Sequence, residues 1–447
     1  MGSVKDLVRD NSPAGRLYTP PKDATFGLGV WKVSGRFSVG DLKSLIPDVD
    51  IKDKAEALTM STASFFEWIA TNHPEIPTCY EGILDKDGRI STVDDFLSRG
   101  ERSNLIVMKL AHVPETFCKG DLQAYRDAIS TGRLKCGVAD VESIFRHGFP
   151  LGSSTLEKIF TEVYGKEEGA KLYQTLATYD ETVKALDDLR GRVSASSSEI
   201  GSNPFSGLQK LLKKSQLTAV PNPGYVLKGI VYNSTSKFEI AGDRDLTPEE
   251  TRRFSGLDEE GYQQWTEEMF PQLAAAQIEF CRQSGIINID GKAECVAYGR
   301  KPVVTDFACT VDENRLMLEV DVPVSGQAFV KEMGGRLPIK EKWAIPSNKE
   351  IQRAIFRQEG IYSAIADAKT RAKQSGNIDN WRDYMPQVLA DKKIDLKEVT
   401  EHSCNLMANA IGEVANRMLG KPIFDAPPIS SWAPSFLPYA SKVEYQE

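Results

Sequence analysis

The sequence predicts an α+β protein of two lobes, with an antiparallel-sheet N-terminal lobe and an α+β C-terminal lobe whose last third is helical. Three observations carry this expectation. Two apolar strand patterns flank an amphipathic helix in the first 115 residues, residues 290–306 read as a β-hairpin, and two long helical periodicities follow that hairpin.

Composition sets the limits. A chain of 447 residues with 41% hydrophobic content can bury one large core or two lobes. Fifty-five basic residues against 63 acidic ones give a formal charge of -8, and no Lys/Arg block interrupts the balance. The field that drives non-specific nucleic-acid binding is therefore missing, and no nucleic-acid partner is expected. The 7 cysteines are scattered and form no Cys-x-x-Cys pair, which argues against a disulfide framework and a structural zinc site. The N-terminal stretch has no apolar segment and no run approaches the roughly 18 apolar residues that span a bilayer. A soluble, cytoplasmic protein without membrane contact is expected, and Asp6 stands where a myristoylation pattern requires Ser or Thr. Assembly with like chains is left open.

Residues 28–39 alternate around Val30, Trp31 and Val33, and "SNLIVMKLAHV" at 103–113 carries a buried apolar run; both read as strands. Between them Ala57, Met60, Ser64, Phe65, Trp68 and Ile69 recur at helical spacing, and the pattern stops before Pro74. Core packing is the expectation for Phe65, Phe66 and Trp68. From 150 to 224 helical patterning gives way to Ser-, Gly- and Pro-rich chain, the mark of a surface excursion. The expected division is 1–115, an N-terminal β-rich lobe; 116–224, a variable helical excursion and linker; and 225–447, an α+β lobe with C-terminal helices. Residues 258–284 are helix-like around Trp265, Met269, Leu273 and Phe280, with Pro271 imposing a break and Gly285 at the C-cap position. The tail after 424 is Pro-rich and reads as extended.

The hairpin "DGKAECVAYGRKPVVTD" poses a chemical question. With "GRKP" as its turn, the register sets Glu294 opposite Asp306, while the period of two puts Asp290, Lys292 and Glu294 on one face and Ile287 and Ile289 on the other. Like charges facing each other cost about 0.2–1 kcal/mol, so they either splay into water or share a cation. An oxygen-only pair suits Mg²⁺, which commonly reaches a protein through one or two carboxylates plus nucleotide phosphates. A solvated rim of no functional meaning is the other reading that spacing leaves open. His73, His112, His147 and His402 form no ligand spacing.

The stretch "GIINIDGKAECVAYGRKPVVTDFACTVDENR" resembles the signature of the SAICAR synthetase (phosphoribosylaminoimidazole-succinocarboxamide synthase) family, in which G-I-I-x-x-D-x-K-x-E is followed by D-E-x-x-T-P-D-S-S-R. Lys292, Glu294, Asp306, Thr310, Asp312 and Arg315 fall on matching positions without a gap. "NSTSKFEIAGDRDLT" is similar to the family's P-S-T-K-x-E loop and retains Lys237, Glu239 and Asp243. Residues 34–69 resemble the D-R-I-S-A-x-D to L-S-x-F-W-F segment, with Arg36, Ser38, Asp41 and Pro47 carried over. "SNLIVMKLAHV" takes the place of the I-P-L-E-V-I-V-R-G-Y strand, which sets Met108 at the adenine edge and Lys109 at the arginine. "AGRLYTP" stands for the G-K-V-R-D phosphate loop, with Arg16 at the lysine. The family's metal-adjacent glutamate is Phe307 here, and its D-S-S-R serines are Glu313 and Asn314.

The resemblance implies an ATP-dependent, ADP-forming ligase. In the family, ATP activates a carboxylate and an amine, usually that of aspartate, displaces phosphate to form an amide. By that resemblance Glu294 and Asp306 bind Mg²⁺ and, with Lys292, carry the chemistry; Arg16, Met108 and Lys292 hold ATP; and Arg36, Ser38, Lys237, Asp243, Asp312 and Arg315 hold the acid and amino-acid substrates. The altered positions point to a specialised biosynthetic pathway. An authentic purine-pathway synthetase and a catalytically silent nucleotide-binding scaffold are the alternatives.

Overall fold

The computed structural model describes residues 5–36, 49–196, 205–239, 244–323, 340–348 and 350–446. The first sheet combines β1 (Lys5–Leu7), β2 (Gly27–Val33), β3 (Tyr80–Leu84), β4 (Ile90–Ser91) and β5 (Leu105–Leu110) in the order β1-β2-β5-β3-β4, every pairing antiparallel. Helix α1 (Lys54–Asn72) packs on it and buries Phe65, Phe66 and Ile69. Each such side chain taken fully out of water contributes about 1.5–3 kcal/mol. The helix ends where His73 donates its N–H to the Ile69 carbonyl, one residue before Pro74. The short helix α2 (Val93–Arg99) begins with a reciprocal cap between Thr92 and Asp95.

After α3 (Pro114–Cys118) and α4 (Leu122–Ser130), the long strand β6 (Cys136–Phe149) enters the second sheet. The segment read from composition as a surface excursion holds four helices: α5 (Ser154–Tyr164), α6 (Lys166–Thr175), α7 (Tyr179–Ser196) and α8 (Ser206–Lys214). Their Leu156, Ile159, Phe160, Leu186, Leu189 and Leu208 close a separate apolar cluster over the ends of β6 and β7 (Tyr225–Thr235). The Ser-rich residues 197–204 lie outside the described part.

Helices α9 (Pro248–Ser255) and α10 (Glu259–Gln263) lead through a π-helical turn at Gln264–Met269 into α11 (Phe270–Gln283). Pro271 sits in the first turn of α11, where it needs no N–H partner, so the π turn absorbs the break that the sequence predicts. Gly285, at φ +65°, ends the helix. The second sheet continues with β8 (Ile286–Tyr298), β9 (Lys301–Thr305), β10 (Asn314–Pro323) and β11 (Lys340–Pro346). Helices α12 (Glu350–Gln358), α13 (Ile361–Gln374), α14 (Met385–Lys392), α15 (Leu396–Leu419) and α16 (Ile429–Phe436) then form the helical C-terminal third. The antiparallel N-terminal sheet, mixed second sheet and terminal helices agree with the α+β class expected from the sequence.

The order in the second sheet is β12-β11-β10-β8-β6-β7-β13, with β9 beside β8. Strands β12 (Ser441–Lys442) and β13 (Glu444–Tyr445) are separated by Val443 alone, yet β12 pairs with β11 and β13 pairs with β7 at the other end of that order. One extended tail segment thus occupies both sheet edges, satisfying backbone groups that would otherwise template foreign strands. Gly224 makes this seam possible: its φ is +89°, and a Cβ there would lie 2.2 Å from the Lys442 carbonyl oxygen. Replacing Gly224 by Ala is expected to cost about 1–3 kcal/mol in backbone strain alone. Thermal melts together with proteolysis of the C-terminal tail check this; an unchanged melting temperature and an uncut tail would contradict the seam.

Candidate functional site

The hairpin register differs from expectation by one residue. Gly299 and Arg300 both adopt positive φ, 56° and 70°, and form a two-residue turn, so Lys301 and Pro302 belong to β9. Glu294 therefore pairs with Thr305, and Asp306 lies just beyond the strand. Left-handed backbone at Asp306 (φ 62°) turns its carboxylate back toward Glu294, so the two acids meet around the ammonium group of Lys237 after all. The following loop is clamped by α1, whose Thr62 hydroxyl donates to the Ala308 carbonyl at 2.6 Å and accepts the Ala308 N–H at 2.9 Å.

The acid pair that does face itself across a ladder is Glu142 on β6 with Glu294 on β8. Lys292 answers it, placing Nζ 2.7 Å from Glu142 and 3.4 Å from Glu294, and also 3.1 Å from Glu313. Lys237 pairs with Glu294 and reaches Asp306 at 4.0 Å. Lys5, on β1, lies 2.5 Å from Asp306, 3.2 Å from Glu313 and 4.1 Å above the centre of the Phe307 ring. Four carboxylates and three ammonium groups thus close into one network. Burial pushes the Glu294 carboxyl up to about 7, with Asp306 adding to the effect and Lys237 opposing it. Burial also acts to raise Asp306, but Lys5 and Lys237 outweigh it and hold this group well below the usual carboxylate range. For Lys292, burial is outweighed by Glu313, Glu294 and Glu142, and its ammonium form is held far above the ordinary range.

Along the same face of the β6–β8 ladder, Ile144 pairs with Lys292 and Arg146 with Asp290. Here the charge reverses. Arg315 donates to Asp290 at 2.6 Å and to Glu350 at 3.3 Å, Arg353 donates to Glu350 at 2.6 Å, and Arg146 lies 3.9 Å from Asp290. Arg146 also donates to Thr155 and to Ser154 (3.4 Å), in the first turn of the 11-residue helix α5. Asp290 and Glu294 are four residues apart, so the two clusters lie about 13 Å from each other along the strand. The opposite face is packed, with Trp265 donating to the Ser143 hydroxyl at 2.9 Å.

The sequence-predicted residues divide accordingly. Lys237, Lys292, Glu294 and Asp306 come together, and Arg315 anchors the second cluster. Asp312 pairs at 3.0 Å with Lys54, whose Nζ also donates to the Arg36 carbonyl at 3.3 Å, so Arg36 and Asp312 meet through a lysine that is only 2% exposed. Arg16 is exposed and donates to the Asn11 carbonyl within its own turn (3.2 Å). Met108 is buried in a central strand with Gly29 paired on one flank and Tyr80 on the other, which leaves it no open edge for a base. Lys109 pairs with Glu81 at 2.8 Å, in the first sheet. Ser38, Asp41, Pro47 and Asp243 lie outside the described residues.

Sequence reading missed Lys5, Lys54, Glu142 and Arg146, and each has a signal. "VESIFRHG" at 141–148 fits L-E-V-I-V-R-G-Y with Glu142 and Arg146 on its charged positions, better than the β5 strand does. "GSVKD" at 2–6 fits G-K-V-R-D with Lys5 at the arginine, and "IKDKA" at 51–55 fits I-P-x-K-G with Lys54 at the lysine. The structure brings Arg146 to the Asp290 cluster and Lys5 to the acid network, whereas Lys109 and Arg16 lie elsewhere.

Among the described residues no group of three or more His, Cys, Asp or Glu side chains is placed to hold a metal ion. Glu294 and Asp306 do offer the two carboxylate contacts that suffice for a Mg²⁺ delivered with nucleotide phosphates, and the one-charge acid surplus of the network favours a cation.

No protein-family model matches the chain, and no curated protein matches it significantly. Solved structures similar to it include the SAICAR synthase from Saccharomyces cerevisiae complexed with SAICAR, at 11% identity and TM-score 0.40, covering 90% of this chain and 95% of that one. A type-2 SAICAR synthetase in complex with ADP follows at 11% identity and TM-score 0.39, covering 81% and 94%. The type-1 SAICAR synthetase from Pyrococcus horikoshii OT3 shows 10% identity and TM-score 0.37, covering 80% and 95%. At such values the likeness assigns no role to any residue.

Removing Lys5 takes the nearest cation from Asp306, leaving it Lys237 at 4.0 Å, and leaves Glu313 paired with Lys292 alone among the described residues, all in a largely buried setting. Lys5→Met is expected to destabilise the protein by about 2–4 kcal/mol at neutral pH. Millimolar Mg²⁺ should restore part of that loss and stabilise the variant more than the parent, as read by thermal melts with and without the metal; equal shifts would show that the cluster does not accept a divalent cation.

Proposed function

We propose that this protein is an ATP-dependent, ADP-forming ligase that joins a carboxylic acid to an amine such as that of aspartate, and that its acid substrate carries a second anionic group. The single observation supporting this reading is the charge order along one sheet face. An acid-rich, lysine-lined end suits a metal-bound nucleotide, and an arginine-rich end beside a helix N-terminus suits a substrate anion about 13 Å away. In this reading Glu294 and Asp306 hold Mg²⁺, which neutralises phosphate charge when bound. Lys5, Lys237 and Lys292 exchange their carboxylate partners for phosphate oxygens, and Arg146 and Arg315 orient the acid so that its carboxylate faces the nucleotide. Phe307 and Glu313, where the resembled family has an acid and a serine, support a specialised biosynthetic substrate rather than the purine intermediate.

One observation favours a second reading. The lysines already neutralise most of the acid cluster, as in a catalytically silent scaffold whose network is structural. Mg²⁺-dependent ADP release, screened over carboxylic acids with and without aspartate and other amines, separates the two. The ligase reading expects turnover that requires both an acid and an amine, lowered at least ~100-fold in Glu294→Gln. A chain that neither binds nucleotide nor releases ADP under any pairing is the silent scaffold.

A further inference from the structure

The β6–β8 ladder is irregular: Val138 pairs with Val296 and Glu142 with Glu294, so β6 spends more residues than β8 between these rungs. Such a bulge re-aims side chains. Asp140, at its centre, is fully buried. Its Oδ1 accepts the successive main-chain N–H groups of Lys237 (3.1 Å) and Phe238 (2.8 Å), and its Oδ2 lies 2.5 Å from Arg126. Arg126 in turn donates to Glu239 at 2.9 Å and stacks 3.9 Å from the centre of the Phe254 ring. One carboxylate and one guanidinium thereby grip three consecutive residues, 237–239, and the first of these sends its ammonium group to Glu294.

We propose that Asp140 is a positioning residue: held by Arg126, it fixes the backbone at Lys237 and so sets where the Lys237 ammonium group meets Glu294 and the incoming phosphates. Charge-assisted bonds from two adjacent N–H groups define a direction as well as a contact, which a solvated loop would lack. The role of the phosphates rests on the ligase reading above; the grip on the loop does not.

The test uses the full chain and two readouts. Hydrogen exchange is measured at the 237 and 238 amides in Asp140→Asn and the parent, and Mg·ADP affinity is measured in Asp140→Asn, Lys237→Met and the double variant. Asp140→Asn is expected to speed exchange at those two amides about tenfold without altering β8, to weaken Mg·ADP binding about tenfold, and to add nothing in the Lys237→Met background. Unchanged exchange, or an equal loss of affinity with Lys237 absent, overturns the proposal. Arg126→Gln, which leaves Asp140 in place but removes its cation, is expected to show the same pattern more weakly and stands in should Asp140→Asn fail to fold. A parent chain that binds no Mg·ADP while the two amides respond upholds the positioning of the loop and sinks the ligase reading instead.

Discussion

Four carboxylates on or beside one sheet face must each find a cation, and much of the molecule is arranged around that demand. Glu142 and Glu294 face each other directly across the β6–β8 ladder, and Asp306 and Glu313 close in from the next loop. In a setting of this burial an uncompensated carboxylate costs more than most single contacts supply. The three lysines that answer the acids come from three distant parts of the chain: Lys5 from the first strand, Lys237 from the loop after β7, and Lys292 from β8 itself. The N-terminal sheet is thus joined to the second sheet by charge as well as by the shared apolar core around α1, and Thr62 adds a hydroxyl clamp on the Ala308 backbone.

The same constraint explains backbone choices that look costly in isolation. Asp306 and Cys309 both hold positive φ within a four-residue span, and strain of this kind persists only where surrounding structure fixes it. Here it is fixed by Lys5 on the Asp306 side chain and by α1 on the loop backbone. The bulge in β6 has a similar logic: regular pairing would keep Asp140 on the ladder's alternation, whereas the extra residues direct it at the loop that presents Lys237.

What the sequence made legible follows from locality. Helix α1, the hairpin, the break at Pro271 and the C-cap at Gly285 are set by neighbours within a turn or two, and pattern reading finds them. Lys292, Glu294 and Asp306 were legible because they share a strand pair, even though a two-residue turn shifted their register by one. Lys5, Glu142 and Arg146 were not, because each joins the site by a pairing that spans more than a hundred residues, and their motif signals are short enough to be placed on the wrong strand. The arginine-rich end of the ladder has three guanidinium groups against two carboxylates, with the α5 N-terminus beside it.

The two ends of the ladder are closed differently. The arginine end is rich in guanidinium groups, while the acid end is closed by lysines, with the Phe307 ring under Lys5. That ring is uncharged and supplies a face that favours an ammonium group over a doubly charged, strongly hydrated ion. Any Mg²⁺ entering here must compete with Lys5 for Asp306 and with Lys237 for Glu294. Burial raises the Glu294 carboxyl, while Lys5 and Lys237 hold that of Asp306 low. On the ligase reading, phosphates arriving with the metal would draw the same ammonium groups away and free both acids together, so that reading expects the metal and nucleotide to bind better as a pair than either does alone.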